Sequence, residues 1–329
     1  MGRIIPRPGR ALNGSISKGK VIMTQKKKRF ETLRKDIRVN KALLIMLIPV
    51  LAYYIIFHYV PLYGALMAFK DYSPMLGVMN SPWVGFKHFI NFFNSPSFLS
   101  ILGNTVNISM WSLLIGFPTP IILALLINEL KNQKFSKLVQ NCTYLPHFIS
   151  LMVVCGLVVD FTREDGIITY LLSFFGFERV TMLNYPQYFL PIYVGSNLWK
   201  EMGWNSIIYI AALSGVDQQL YEAAEIDGAN RWQQTIHVTL VSIVPTIVTM
   251  LILKLGQVLN VGFEKIILLY NNATMEVADV ISSYVYRRGI LDQSWSFSTA
   301  VNLFNSVVNL IFLLTANKIS AKLTETSLW

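Results

Sequence analysis

Charged residues are scarce in this 329-residue sequence, of which only 14% is Asp, Glu, Lys or Arg. Average soluble domains carry about 25% charge, and 53% of this chain is apolar, so the composition argues against an ordinary soluble enzyme. Cysteine is also scarce: Cys142 and Cys155 are the only two. We place both on one predicted helix, about 20 Å apart at 1.5 Å per residue. At that separation they cannot form a disulfide, and their spacing matches no metal motif.

The motifs of common catalytic sites are missing as well. The chain contains no Gly-x-x-x-x-Gly-Lys-Ser/Thr loop to cradle phosphates. It also lacks a nucleophile elbow and a His-Glu-x-x-His zinc motif. The sequence therefore predicts no catalytic residue, no metal site and no ATP hydrolysis by this chain itself.

Long apolar stretches dominate what is present. Six of them have the ~20 residues that a helix needs to cross a hydrocarbon core of about 30 Å. They lie near 42–68, 102–128, 143–161, 187–213, 239–263 and 297–317. Several contain prolines, which membrane helices tolerate because neighbouring groups satisfy the freed carbonyls. The pattern predicts an all-α polytopic membrane protein, with a membrane domain over 42–329.

The distribution of positive charge predicts the orientation. Of 28 Lys and Arg residues, 13 lie in the first 41 residues, which we interpret as a basic tail that also attracts anionic lipid headgroups. The segments on the N-terminal side hold 19 in all and the alternate segments only seven. By the positive-inside rule both termini are cytoplasmic. Because the charge is concentrated in the tail, it favours a membrane orientation signal over nucleic-acid binding.

One cytoplasmic connection, 215–238, has a distinctive sequence. It begins Gly-Val-Asp-Gln-Gln-Leu-Tyr-Glu-Ala-Ala-Glu-Ile-Asp-Gly-Ala. Asp217 can cap a helix by accepting backbone N–H bonds, and Gly228 can end it in the left-handed region. The segment therefore predicts a short acidic helix beneath the membrane, with two alanines that allow close contact.

This segment resembles the EAA loop of ATP-binding-cassette (ABC) importer permeases, in which Glu-Ala-Ala is followed after three residues by Gly. The resemblance implies a coupling helix that docks on an ATPase subunit. The residues that it assigns to coupling are Glu222, Ala223, Ala224, Glu225, Asp227 and Gly228. Val238-Thr239-Leu240-Val241 stands where the family has Ile-x-Leu-Pro, which affects the exit angle into the fifth span.

The resemblance extends over about 40–329 and is strongest to the maltose-type carbohydrate permeases that import oligosaccharides and polysaccharides. Tyr144-Leu145-Pro146-His147-Phe148 and Trp199-Lys200-Glu201-Met202-Gly203-Trp204 are among the stretches that carry it. It implies a multi-pass subunit of the bacterial cytoplasmic membrane that carries a carbohydrate. It also implies a second permease, two ATPase subunits that hold ATP and Mg, and an extracytoplasmic solute-binding protein. This chain would bind no cofactor, and outer segments 69–101 and 264–296 would receive the binding protein.

Ionisable residues inside a membrane helix are costly unless they face a cavity or a partner. Lys200, Glu201 and Lys254 are such residues, and the first two precede Glu222 by about 21 positions, where maltose-type permeases line their sugar site. Aromatic faces and amide groups are the types that bind sugars. The predicted substrate path comprises Lys200, Glu201, Trp204, Asn205, Lys254, Gln257 and Asn260.

Two interpretations of the lysines remain open. Their ammonium groups suit an anionic saccharide such as a uronate oligomer, or Lys200 or Lys254 forms an ion pair with Glu201 that braces the bundle. On the sixth span a polar stripe recurs at helical spacing, and it either lines the path or holds helices together; its members are Asn302, Ser306 and Asn309. We interpret His58, His147 and His237 as structural.

Two alternative functions are weighed against saccharide import. The first is the same architecture carrying a non-sugar solute, such as a peptide or phosphate. The second is a secondary transporter driven by an ion gradient, which predicts internal repeats with broken helices at the midplane. No such repeat is evident in the sequence.

Overall fold

The computed structural model describes residues 39–323 and 327–328. Those residues form helices and turns and no strand, apart from one isolated antiparallel bridge between Lys70 and Trp83. This confirms the all-helical fold. The predicted basic tail, 1–41, lies outside the described residues except for its last three.

Seventeen α-helices occur in the described part of the chain. The first nine are α1 (Lys41–Tyr54), α2 (Val60–Leu62), α3 (Gly77–Asn80), α4 (Lys87–Phe93), α5 (Phe98–Gly116), α6 (Pro118–Asn128), α7 (Gln133–Tyr144), α8 (Leu151–Phe161) and α9 (Ile167–Ser173). The others are α10 (Pro186–Leu213), α11 (Gln218–Ile226), α12 (Arg231–Gln234), α13 (Leu240–Leu255), α14 (Phe263–Leu269), α15 (Met275–Ala278), α16 (Ile281–Tyr286) and α17 (Trp295–Leu323). Short π turns at Ile55–Tyr59, Thr235–Thr239 and Arg287–Leu291, and 3₁₀ turns at Tyr63–Phe69, Leu145–Phe148 and Met182–Asn184, join some of them.

Four helical runs of the described chain are long and apolar enough to cross a membrane: Lys41–Phe69, Phe98–Asn128, Arg231–Leu255 and Trp295–Lys322. A fifth is possible if the bent pair Gln133–Phe148 and Leu151–Phe161 is one span. Helix α10 has 28 residues, about 42 Å at 1.5 Å per residue, which is long enough to cross a bilayer. Its charged and amide side chains make it less apolar than the others.

The third predicted span, 143–161, is not one continuous helix. The chain bends by 100° between Phe148 and Leu151, and Ile149 and Ser150 have extended backbone. Pro146 shapes the turn before the bend, and the Ser150 hydroxyl caps α8 by accepting from the Val153 N–H at 3.4 Å. Placing Cys142 and Cys155 on one helix was therefore wrong: they lie on α7 and α8, on either side of the bend.

The fifth predicted span ends earlier than the apolar pattern suggests. Helix α13 stops at Leu255, and the chain from 256 to 262 is irregular. A Cβ at Gly256 would lie 2.8 Å from the Leu313 side chain of α17, so the chain approaches the last span closely where α13 ends. Asn260 is thereby placed in irregular chain instead of a membrane helix.

The chain divides into two compact units, 1–64 and 65–329. In the first, helix α1 is apolar and has no buried residue. In the second, α10 contacts α5, α6, α7, α8 and α13, which makes it the central helix of that unit. Its buried residues belong to two apolar clusters, one around Phe189 and Tyr193 and the other around Tyr209 and Leu213.

Gly203 sets how closely α10 approaches α7. A Cβ at this position would collide with the backbone carbonyl of Thr143. Small residues permit such contacts between membrane helices. The approach brings the chain around His147 against the middle of α10.

Candidate functional site

The acidic segment forms the helix that the sequence predicts. Helix α11 begins after Asp217, whose carboxylate accepts from the Gln219 N–H at 3.0 Å. It ends before Gly228, which has φ of +80°. That backbone conformation is in the left-handed region, which glycine adopts without strain.

Helix α11 presents acidic and apolar side chains to the solvent. Glu222, Ala223, Glu225 and Asp227 are exposed, and these carboxylates form no ion pair within the described part of the chain. Ile226 is 86% exposed. The exposed face of α11 is therefore acidic, with one exposed apolar side chain at its end.

Lys200 and Glu201, on α10, form an ion pair. Lys200 Nζ lies 3.1 Å from Glu201 Oε1 and donates to the His147 carbonyl at 2.9 Å. The His147 ring Nδ1 lies 2.9 Å from Glu201 Oε2. The side chains are 12% exposed for Lys200 and 28% for Glu201. The cluster of these three residues is consistent with the bracing interpretation of Lys200.

Trp204, one turn further along α10, belongs to the same cluster. Its ring stacks on His147, with centroids 4.3 Å apart and an interplanar angle of 2°. Phe148 meets Trp204 edge-on at 5.6 Å. His147 is therefore a direct partner of two predicted path residues, Glu201 and Trp204.

A polar pocket of about 180 Å³ lies in the same unit, and none of these four side chains lines it. Three residues of the predicted path, Lys254, Gln257 and Asn260, line it. Its other lining residues are Ser109, Ser112, Leu113, Tyr193, Asn197, Val258, Val261 and Gly262. Asn205 does not line this pocket. The structure thus separates the predicted path into a charged cluster and a pocket.

Two features of the pocket suit a ligand. Lys254 forms no ion pair within 39–323, and its side chain is exposed. Ser109 is 6% exposed, and its hydroxyl has no hydrogen-bond partner in the described structure. Such a buried hydroxyl costs free energy unless something bonds it. The pocket therefore offers a cation and hydrogen-bonding groups that are free to bind.

Asn197, Ser109 and Ser112 are pocket residues that the sequence analysis missed. Asn197 is one helical turn before Glu201, on the same face of α10, so its position could have been found from that spacing. The two serines are on α5 and carry no charge that would single them out in an apolar helix.

Asn260 also holds the wall of the pocket together. Its Oδ1 accepts from Asn305 at 3.0 Å and from Asn309 at 2.9 Å. Asn309 Oδ1 in turn accepts from the Leu259 N–H at 3.1 Å. Ser306 donates to the carbonyl of Asn302 on its own helix. The polar stripe on the sixth span was predicted either to line the path or to hold helices together. The contacts of Asn309 agree with the second interpretation.

Lys265, on α14, contacts Tyr193, one of the residues that line the pocket. It is 4% exposed, and its Nζ donates to the Tyr193 carbonyl at 2.9 Å and lies 4.5 Å from the centre of the Tyr193 ring. Burial lowers the pKa of Lys265 to about 8. The sequence analysis placed this lysine in an outer segment, since nothing local shows that 264–296 folds back into the core.

Comparison with known proteins shows the family. A model of the family described as the binding-protein-dependent transport system inner membrane component matches residues 116–323. The polygalacturonan/rhamnogalacturonan transport system permease protein YteP of Bacillus subtilis (strain 168) is 43% identical, over 94% of this chain and 96% of YteP.

Two solved structures are also similar. A bacterial ABC transporter involved in the import of the acidic polysaccharide alginate contains a chain with a TM-score of 0.82 and 46% identity, over 89% of this chain and 99% of that one. A bacterial alginate ABC transporter in complex with an alginate pentasaccharide-bound periplasmic protein gives a TM-score of 0.82, 45% identity and the same coverage. This chain belongs to the family of binding-protein-dependent transport system inner membrane components, as a non-catalytic, multi-pass permease of an ABC importer.

Proposed function

We propose that this permease carries an acidic oligo- or polysaccharide through the polar pocket around Lys254. The observation that supports this best is an ammonium group without a carboxylate partner in the described chain, beside the amides of Gln257 and Asn197. An ammonium pairs with carboxylates, and amides can bond the hydroxyls of a sugar. YteP and the alginate transporter are permeases or transporters for polysaccharides, which supports the same substrate class.

The proposed topology has six spans and cytoplasmic termini. Helix α10 would be the fourth span, and the bent pair α7 and α8 would form the third. The positive charge before Lys41 supports this orientation. In this topology α11 lies on the cytoplasmic side, and 69–101 and 264–296 lie on the outer side.

The proposed transporter contains a second permease, two ATPase subunits and a binding protein. The periplasmic protein in the alginate transporter complex supports the last of these. ATP and Mg would be held by the ATPase subunits, and α11 would dock on one of them through Glu222, Ala223, Ala224, Glu225, Asp227 and Gly228. ATP-driven closure of the ATPases would move α11 and turn the pocket from the inner to the outer side. ATP on the ATPase subunits and saccharide in the pocket would each favour one of the same two conformations, inward-facing or outward-facing. Such a shared equilibrium is what couples two separate sites.

A non-sugar solute is the remaining alternative for this architecture. Calorimetry of the binding protein against panels of saccharides and peptides would distinguish the two. Membership of a binding-protein-dependent family sets the ion-coupled secondary transporter aside.

The two lysines provide the test of substrate charge. Lys254→Gln should lower uptake of an acidic oligosaccharide by about tenfold or more, because a hydrogen bond to a charged group is worth about 1.5–3 kcal/mol. Uptake of a neutral oligosaccharide should change much less. The measurement is uptake into proteoliposomes that hold the complete transporter with its binding protein.

Lys200→Gln is the matched control. It removes the same charge from the same helical bundle, but Lys200 is paired with Glu201. It should therefore lower uptake of both oligosaccharides to a similar degree. Equal losses for the two oligosaccharides in Lys254→Gln would contradict the proposed acidic substrate.

A further inference from the structure

The base of α13 is a π turn, Thr235–Thr239, that connects it to α12. Single π turns inside α-helices frequently mark functional sites. Thr235 and Thr239 stand at its two ends, and both side chains are buried, at 9% and 1% exposure. A polar, buried π turn at the start of a membrane helix needs partners for its hydroxyls, and these partners come from three different segments.

The first partner comes from α11. The hydroxyl of Tyr221 lies 2.9 Å from Thr239 Oγ1. Tyr221 is half-buried, as is Ala224 one turn later, whereas Glu222 and Glu225 are exposed. Helix α11 thus has an outward face with its carboxylates and an inward face that reaches α13 through Tyr221.

The other partners fix the π turn to its surroundings. The single hydroxyl hydrogen of Thr235 has two acceptors within reach, the Arg231 carbonyl at 2.9 Å and Glu129 Oε1, just beyond α6, at 3.1 Å. The Gln234 side chain donates to the Ala229 carbonyl at 3.0 Å. The π turn is therefore bonded to α11 through Thr239, and its Thr235 hydroxyl lies within reach of Glu129, while α12 is bonded to the turn that follows α11.

We propose that Tyr221 is a positioning residue, whose hydrogen bond to Thr239 makes α13 follow the movement of α11. The inference rests on the proposed docking of α11 on an ATPase subunit. Besides this bond, α11 is joined to α13 through the chain 227–239, which contains a glycine with positive φ at Gly228. The bond between Tyr221 and Thr239 reaches the buried start of that span directly, without passing through this turn.

Spin labels test the link without knowledge of the solute. Cysteines replace Gln218, which is exposed on α11 outside the residues proposed to dock, and Val241 on α13, and Cys142 and Cys155 are replaced by Ser. In the complete transporter, the distance between the two labels should stay constant when ATP is trapped. With Tyr221→Phe or Thr239→Val the distance should change on ATP trapping, because the two helices no longer move together. Thr239→Ser keeps the hydroxyl and should behave as the unaltered protein.

Transport coupling is the second readout. A net hydrogen bond of about 1 kcal/mol corresponds to about fivefold in an equilibrium constant. Tyr221→Phe and Thr239→Val should each lower the amount of galacturonate oligomer imported per ATP by about fivefold, and the double variant should be no worse than either. Thr249→Val is the matched control, since the Thr249 hydroxyl bonds only the Pro245 carbonyl of its own helix in the described structure.

Three results would overturn the role of Tyr221: an unchanged label distance in both variants, additive losses in the double variant, or import that falls only in proportion to the amount of assembled transporter. A failure of the proposed docking is distinguishable. In that case a crosslinker at Ala223→Cys captures no ATPase subunit even in the otherwise unaltered complex.

Discussion

Lys200 and Lys254 were predicted to serve one substrate path, yet they lie in different surroundings. Lys200 is neutralised by Glu201, which His147 also contacts. Lys254 faces a polar pocket and has no ion pair in the described residues. A charge inside a membrane bundle therefore indicates a substrate only after its partner is known. The paired lysine has its charge compensated within the chain, and the unpaired one is available to bind.

The largest loss of stability is expected for a substitution at Gly203, whose close approach to Thr143 brings His147 to the Lys200–Glu201 pair. In Gly203→Ala the new Cβ meets the Thr143 backbone, which cannot rotate away as a side chain can. Overpacking typically costs about 1–3 kcal/mol and occasionally more, and we expect a loss of at least about 3 kcal/mol of stability here. Thermal unfolding in nanodiscs measures it. Gly195→Ala, on the same helix but facing open space, is the control and should cost nothing; equal melting temperatures would contradict the close approach.

The ion pair should give the next largest effect. Lys200→Gln leaves the Glu201 carboxylate with His147 alone, which should cost about 2 kcal/mol, within the range for a lost hydrogen bond to a charged group. Replacing Glu201 by Gln as well removes the uncompensated charge, so the double variant should regain part of the loss. Melting temperatures of the single and double variants check this. A double variant less stable than Lys200→Gln would show that the pair does not brace the bundle.

The smallest expected effect belongs to the stacked rings. A double-mutant cycle of His147→Ala and Trp204→Ala should give a coupling energy of about 1 kcal/mol, as for other aromatic pairs. Chemical unfolding supplies the four free energies. The ratio of acidic to neutral oligosaccharide uptake should stay constant in His147→Ala, because the pocket lies elsewhere. Zero coupling, or a changed ratio, would contradict the separation of cluster and pocket.

The features that the sequence predicts correctly depend on residues that are close together in the chain. Asp217 and Gly228 delimit α11 through bonds and backbone angles within a few residues, and the structure has both. The Lys200–Glu201 pair was foreseen as one interpretation because the two residues are adjacent.

Long-range contacts account for what was missed. His147 is 54 positions from Glu201, and its part in the cluster depends on the bend after Phe148. Continuous apolar composition hides that bend, although Pro146 and Ser150 stand beside it. Ser109 was overlooked since a single hydroxyl in an apolar helix gives no periodic signal.

The bend between Phe148 and Leu151 also constrains how the permease is oriented among lipids. A helix start leaves amide groups without intrahelical partners, and the hydrocarbon interior offers nothing to bond them. Helix α8 has 11 residues, so it is about 17 Å long, roughly half of a hydrocarbon core of about 30 Å. The backbone amide groups at Ile149 and Ser150 must therefore face water or another subunit, and not the acyl chains.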